Sequence, residues 1–164
     1  MQIIAFAGAK GSGKDTAADC LVRMGYKRLS FADPLKEACQ ILFSLSPEDL
    51  HDPERKEASR ELMQWLGTDC LRSRDPDIFC NLMRRRLRGE TRVVIPDVRF
   101  QNEGDLVREF GGTVIRVSRA GTLPDAHASE NQAVAVDLSL ANSGTVAQLE
   151  GELRSLLSQN NLDK

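Results

Sequence analysis

The 164-residue chain is poor in aromatic residues: one Trp, one Tyr and six Phe, 5% in all. A surface that binds single-stranded nucleic acid by stacking needs aromatics interleaved with basic residues, and that pattern is missing. An excess of one charge is missing too. Twenty-two Lys and Arg against 24 Asp and Glu leave a net charge of −2, which argues against a general nucleic-acid coat with its strong basic excess. No apolar run approaches the roughly 18–20 residues that span a bilayer. The N-terminus runs straight into a strand-like segment and lacks a signal-peptide layout. The expected location is the cytoplasm, with neither membrane nor nucleic acid as partner. Cysteine is sparse: Cys20, Cys39, Cys70 and Cys80 form no C-x-x-C pair and lie at irregular spacing. Metal ligation would want tighter clusters with His, and His51 and His127 are far apart. The thiols read as reduced residues in or near the core.

What is present alternates between strand and helix. Apolar residues make up 41% and charged residues 28%, ordinary for a globular protein of one domain. Residues 2–7 predict a strand and 14–24 a helix closed by Gly25. A weaker strand covers 26–32, and Asp33-Pro34 predicts an N-cap with Pro at N1 of a helix to about Phe43. Ser46-Pro47 and Asp52-Pro53 predict a polar loop. Helices follow at about 54–66, with Gly67 interrupting or ending the first, and at 76–88. Strand 92–95 leads to Pro96-Asp97, helix 101–110, strand 113–118, a small-residue loop over 119–132, a strand near 136–141 and a helix over 145–158. Arg84, Arg85, Arg86 and Arg88 read as the solvated face of helix 76–88. Five strands separated by helices imply a parallel sheet covered on both faces. Ligands of such sheets bind beyond the carboxyl ends of the strands, so residues 8–16, 32–36, 96–103 and 119–130 are where chemistry is expected.

The first of these places carries the strongest signal. Gly8-Ala-Lys-Gly-Ser-Gly-Lys14 has the Gly, four residues, Gly, Lys spacing of a phosphate-binding P-loop, with strand before and helix after. Small residues let the backbone wrap a polyphosphate, and successive N–H groups form an anion nest. The new helix adds its positive dipole end, and Lys14 supplies a mobile charge for the outer phosphates. Gly8, Lys10, Gly11, Ser12, Gly13, Lys14, Asp15 and Thr16 are therefore the expected ATP-binding residues. The position after the lysine, usually Ser or Thr for Mg²⁺, is Asp15, with Thr16 next. Asp15 as metal ligand, Thr16 as metal ligand, a metal held mainly by water and phosphates, and a helix-start carboxylate are all open.

Strand 92–95 ending in Asp97 looks like a Walker B element, whose acid serves Mg²⁺. Val98 follows where hydrolytic ATPases often place a second acid, which favours transfer to an organic acceptor. Arg99, Arg72 and Arg119 stand near strand ends or binding loops, and the planar guanidinium fork suits phosphate. Lys14, Arg119 and Asp97 are the expected catalytic groups. Trp65 is one of few aromatics able to stack on a base.

Together, GAKGSGKDT (8–16), FADPLK (31–36), QWLGTDCLR (64–72), VIPDVRFQNE (94–103), HASE (127–130) and Asn142–Gly144 span nearly the whole chain. In these segments the chain resembles the phage-type deoxynucleoside monophosphate kinases, a branch of the P-loop nucleoside and nucleotide kinases. The resemblance implies a single three-layer P-loop NTPase domain with a five-stranded parallel sheet. It implies a helical acceptor-binding region over about 33–90 and a lid over about 119–132. It implies transfer of the ATP γ-phosphoryl group to a deoxynucleoside 5′-monophosphate with Mg²⁺. Asp33, Lys36, Trp65, Arg72, Arg99, Glu103, His127 and Glu130 would serve the acceptor, and Asp15, Thr16 and Asp97 the metal. A homodimer, and host cytoplasm if phage-encoded, belong to the same implication. Two departures stand out: Pro96 replaces a small hydroxylated residue, so a hydrogen bond is expected to be lost, and the chain is short for the family. Other readings of the same scaffold are a phosphomevalonate kinase of the animal type, a dephospho-coenzyme A kinase, and a nucleotide-binding module without catalysis. The last lacks support from any Asn-Lys-x-Asp base-reading motif.

Overall fold

The computed structural model describes residues 1–51, 56–121 and 134–163. The strands are β1 (Gln2–Ala7), β2 (Lys27–Arg28), β3 (Arg92–Val98), β4 (Thr113–Ser118) and β5 (Leu138–Ala141). The helices are α1 (Lys14–Arg23), α2 (Asp33–Phe43), α3 (Pro47–His51), α4 (Lys56–Gln64), α5 (Ile78–Arg86), α6 (Gln101–Glu109) and α7 (Val146–Gln159), with a π-helical stretch at Trp65–Arg72. They divide into two compact units, Met1–Ser30 with Leu87–Lys164, and Phe31–Arg86.

The first unit is built on one sheet, all parallel, in the order β2-β3-β1-β4-β5. β1 is central, and Ile3 to Ala7 are all buried, as a strand covered on both faces requires. Its side chains alternate between the two faces. Ile4 and Phe6 join Ala17, Ala18 and Leu21 of α1 and Leu149, Leu153 and Leu157 of α7 in one cluster. On the opposite face a Cβ placed on Gly112 would lie 2.8 Å from both Ile3 and Val107 of α6, so α6 covers that side. Helix, sheet and helix make the three layers that the alternating sequence predicts. Each fully buried Leu, Ile or Phe contributes about 1.5–3 kcal/mol.

Pro96 lies inside β3, where a missing N–H would break a ladder. The register between β1 and β3 passes from Ala5–Ile95 to Ala7–Val98, one residue longer on β3. This bulge absorbs the proline and re-aims the residue after it, Asp97. β2 is only two residues long, against the predicted 26–32, although the Leu29 N–H still donates to the Val94 carbonyl at 3.0 Å.

The second unit is helical. Asp33 opens α2 inside the helix, with Ala32 rather than Asp33 at the N-cap. Ser46-Pro47, which predicts a loop, starts α3 instead. Ser46 Oγ accepts from the Asp49 N–H at 3.2 Å, and Asp49 Oδ2 accepts from the Ser46 N–H at 2.9 Å. The reciprocal pair is a capping box with Pro at N1. Gly67 neither ends nor breaks its helix. A Cβ there would lie 2.7 Å from Leu35 Cδ2 of α2, so the glycine serves close packing while the backbone continues through wider i→i+5 turns to Arg72. All four cysteines are free thiols, three buried and Cys70 half-buried.

Candidate active site

All five strands of the first unit run parallel, so their carboxyl ends share one edge of the sheet. β1 runs into the loop at Gly8, whose φ of 143° suits glycine; a Cβ would meet the Val117 carbonyl of β4 at 2.2 Å. The Ser12 N–H closes a turn onto the Ala9 carbonyl at 3.2 Å. Gly13, at φ 105°, caps α1, and a Cβ there would stand 2.5 Å from Asn142 Nδ2. α1 therefore presents its unbonded first-turn N–H groups and dipole end to a cleft of about 410 Å³. Gly11, Gly13, Lys14, Asp15, Thr16, Arg119, Asn142 and residues 144–146 line it.

Lys14 folds back over its own loop. Its Nζ donates to the Gly8 and Ala9 carbonyl oxygens at 2.7 and 2.6 Å. These contacts hold the ammonium at the loop's centre, where incoming phosphate oxygens would take over the donors. Asp15 also lines the cleft, but its carboxylate is engaged from β2. Its carboxylate pairs with Arg28 of β2 and is 76% exposed, and the same guanidinium reaches Asp19 Oδ1 at 2.7 Å. Thr16 is half-buried in the cleft wall. Lys10 is exposed, and Ser12 is 1% exposed with an Oγ that finds no partner among the described residues.

Asp97, re-aimed by the bulge, accepts a short hydrogen bond from Ser30 Oγ. Ser30 lies two residues beyond the end of β2 and is a residue that no motif marks. Arg99 is exposed at the start of α6. Glu103, expected on the acceptor side, is 2% exposed. Its Oε2 accepts from the Arg99 and Phe100 N–H groups at 2.7 and 3.1 Å, so it holds the turn that carries Arg99. Arg119 follows β4 directly and is exposed. His127 and Glu130 lie outside the described residues, as does most of the expected lid.

In the helical unit, Asp33 and Lys36 share the first turn of α2. Asp33 stands 3.5 Å from Arg86 Nη1, and Arg86 Nη2 donates to Glu37 at 2.5 Å. Arg86 is therefore a bridge to α2 rather than a member of a solvated face. Arg72, at the end of the π-helical stretch, donates to the Pro76 carbonyl at 3.1 Å and lies 5.0 Å over the Phe79 ring. Trp65 is half exposed at the start of that stretch.

A three-layer parallel sheet whose central strand feeds a glycine loop, a lysine and a helix start defines a P-loop fold, here that of a kinase, a phosphotransferase. The fold is similar to that of shikimate kinase from Aquifex aeolicus, with 14% identity over 99% of both chains and a TM-score of 0.55. The family model for deoxynucleotide monophosphate kinase matches residues 48–157. A protein of Acanthamoeba polyphaga mimivirus, provisionally named a deoxynucleotide monophosphate kinase, is 37% identical over 94% of this chain and 95% of its own. The chain belongs to the deoxynucleotide monophosphate kinase family.

Proposed function

We propose that the protein transfers the γ-phosphoryl group of ATP to a deoxynucleoside 5′-monophosphate, giving the diphosphate and ADP. The observation that carries this reading is the single cleft in which the α1 start, Lys14, Thr16 and Arg119 converge. An acceptor phosphate oxygen attacks the γ-phosphorus as the bond to the β–γ bridging oxygen breaks. That oxygen is already a competent nucleophile at neutral pH, so positioning and charge stabilisation do the work and no general base is assigned. Lys14 and Arg119 meet the charge on the transferring group. The loop N–H groups hold the donor phosphates.

The donor set suits Mg²⁺, which keeps most of its shell as water and phosphate and takes one or two protein oxygens. Among the described residues no cluster of three or more His, Cys, Asp or Glu forms a cage, and the oxygens assigned to the ion are the Thr16 hydroxyl and the Asp97 carboxylate, which also accepts from Ser30. Bound there, the ion would neutralise phosphate charge. Asp15, engaged by Arg28, is left out. In the helical unit, Asp33, Lys36, Trp65 and Arg72 take the acceptor nucleotide. Arg99 serves its phosphate, and segment 119–132 with His127 and Glu130 acts as the lid. The two units work as one kinase domain, with the acceptor region over about 33–90.

The test is ADP release with ATP and each of the four deoxynucleoside monophosphates in turn. No turnover with any of them refutes the reading. Lys14→Ala is expected to lower turnover by about 10²–10³-fold. Thr16→Val should raise the Mg²⁺ requirement about tenfold, while Asp15→Asn shifts it less than about threefold. The reverse order would return the metal to Asp15.

A further inference from the structure

We propose that Asn142 is a positioning residue that fixes the Ser12–Gly13 peptide so that the Gly13 N–H is aimed at the donor phosphates. The inference rests on the reading of the P-loop cleft as the donor site. Asn142 follows β5 and is itself anchored, its N–H donating to the Ser118 carbonyl of β4 at 2.7 Å. From there its Nδ2 donates to the Ser12 carbonyl oxygen at 2.9 Å. Both residues are buried, 7% and 1% exposed.

A trans peptide points its C=O and N–H in opposite directions, and the described chain has no cis bonds. With the Ser12 oxygen held from the Asn142 side, the Gly13 N–H turns to the other, concave side of the loop, where an anion nest forms. The tether is needed because the loop is glycine-rich. At Gly13 the backbone can rotate at little steric cost. A flipped peptide would present a carbonyl oxygen to the phosphates in place of a donor. Gly13 also makes the tether possible, since a Cβ would stand 2.5 Å from Asn142 Nδ2. The last strand of the sheet thus sets the polarity of the loop after the first.

The test uses the full chain and calorimetric titration with ATP, ADP and AMP. Asn142→Leu keeps the number and branching of the side-chain heavy atoms and removes the donor. The variant is expected to bind ATP and ADP on the order of tenfold more weakly, with AMP affinity near that of wild type and the thermal unfolding midpoint lower by a few degrees, because the buried Ser12 carbonyl loses its donor. A merely packed side chain would leave Asn142→Leu with wild-type ADP affinity, and that result overturns the inference. So does an equal loss for AMP, which would give Asn142 a role at the base. A second measurement needs no variant: with ¹⁵N-glycine label, the Gly13 amide resonance should move downfield on adding inorganic pyrophosphate. An unmoved Gly13 amide in a protein that binds pyrophosphate also overturns it. Wild type that binds neither ATP nor ADP removes the cleft reading and this inference together. Wild type that binds ADP but turns over no monophosphate removes only the acceptor assignment.

Discussion

The sheet unit and the helical unit hold their charged groups by different means. In the sheet unit the groups around the P-loop and Arg99 are held on backbone atoms, while side-chain ion pairs such as Asp15–Arg28 lie at its surface. Lys14 rests on two loop carbonyls, Asn142 on a third, and Glu103 on two N–H groups. In the helical unit side chains hold one another: Arg86 bridges Asp33 and Glu37, and Arg72 lies over Phe79. That unit also shows large apolar side chains at its surface, with Ile41 80%, Leu42 66% and Trp65 51% exposed. Backbone-held sites admit few residue types, because a φ of 105° or a contact at 2.5 Å leaves room for glycine alone. Partly exposed ion pairs are worth about 0–1 kcal/mol each, so many sequences can make or lose them. Phosphate handling is therefore expected to be brittle and acceptor handling adjustable.

Three measurements sharpen or break that contrast. The largest effect should come from Gly13→Ala, which adds backbone strain of about 1–3 kcal/mol and pushes into Asn142. ATP affinity and turnover should both collapse while the unfolding midpoint falls by only a few degrees. Unchanged ATP affinity would remove the backbone from its assigned role. A smaller effect is expected for Gly67→Ala, because the neighbour at 2.7 Å is the end of a leucine side chain that can turn aside. A cost of about 1–3 kcal/mol, with a raised acceptor KM and an unchanged ATP KM, fits the division of labour. A raised ATP KM would contradict it. The smallest effect concerns thiol reactivity. Burial raises the Cys39 thiol above its ordinary pKa, so less of it is thiolate at any given pH and attack by an alkylating reagent is slower. Under native conditions Cys70, half-buried, should be labelled before Cys39 as followed by mass spectrometry. Equal rates would show that the helical unit opens readily.

The contrast also explains what could be read from the chain unaided. The loop from Gly8 to Thr16 was legible because its chemistry demands particular residues at fixed spacing, and the layer order followed from apolar strands alternating with amphipathic helices. Ser30 was not legible. A lone serine after a two-residue strand acquires meaning only when the β3 bulge brings Asp97 to it. Pro96 was read as the loss of a hydrogen bond; the hydrogen bond seen beside it, from Ser30 Oγ to Asp97, comes from a residue beyond the end of β2. Asn142 was marked only as part of the Asn142–Gly144 segment of the family resemblance, and nothing in that segment tells that its side chain holds the Ser12 carbonyl. Ser46-Pro47 misled because loops and helix starts use the same residues, and only Asp49 three positions later separates the two. Arg86 was hidden among three neighbouring arginines, since sequence spacing does not reveal which one finds carboxylates on another helix.

The π-helical stretch between Trp65 and Arg72 has a consequence for insertions and deletions. Turns closed by i→i+5 bonds hold one residue more than α-helical turns. Deleting a single residue there would let the segment relax to ordinary α-helix and swing every side chain beyond the deletion to a new bearing. Trp65 and Arg72 would then no longer keep their mutual orientation, although both would still be encoded. The segment should tolerate exchange of one amino acid for another far better than any change in its length.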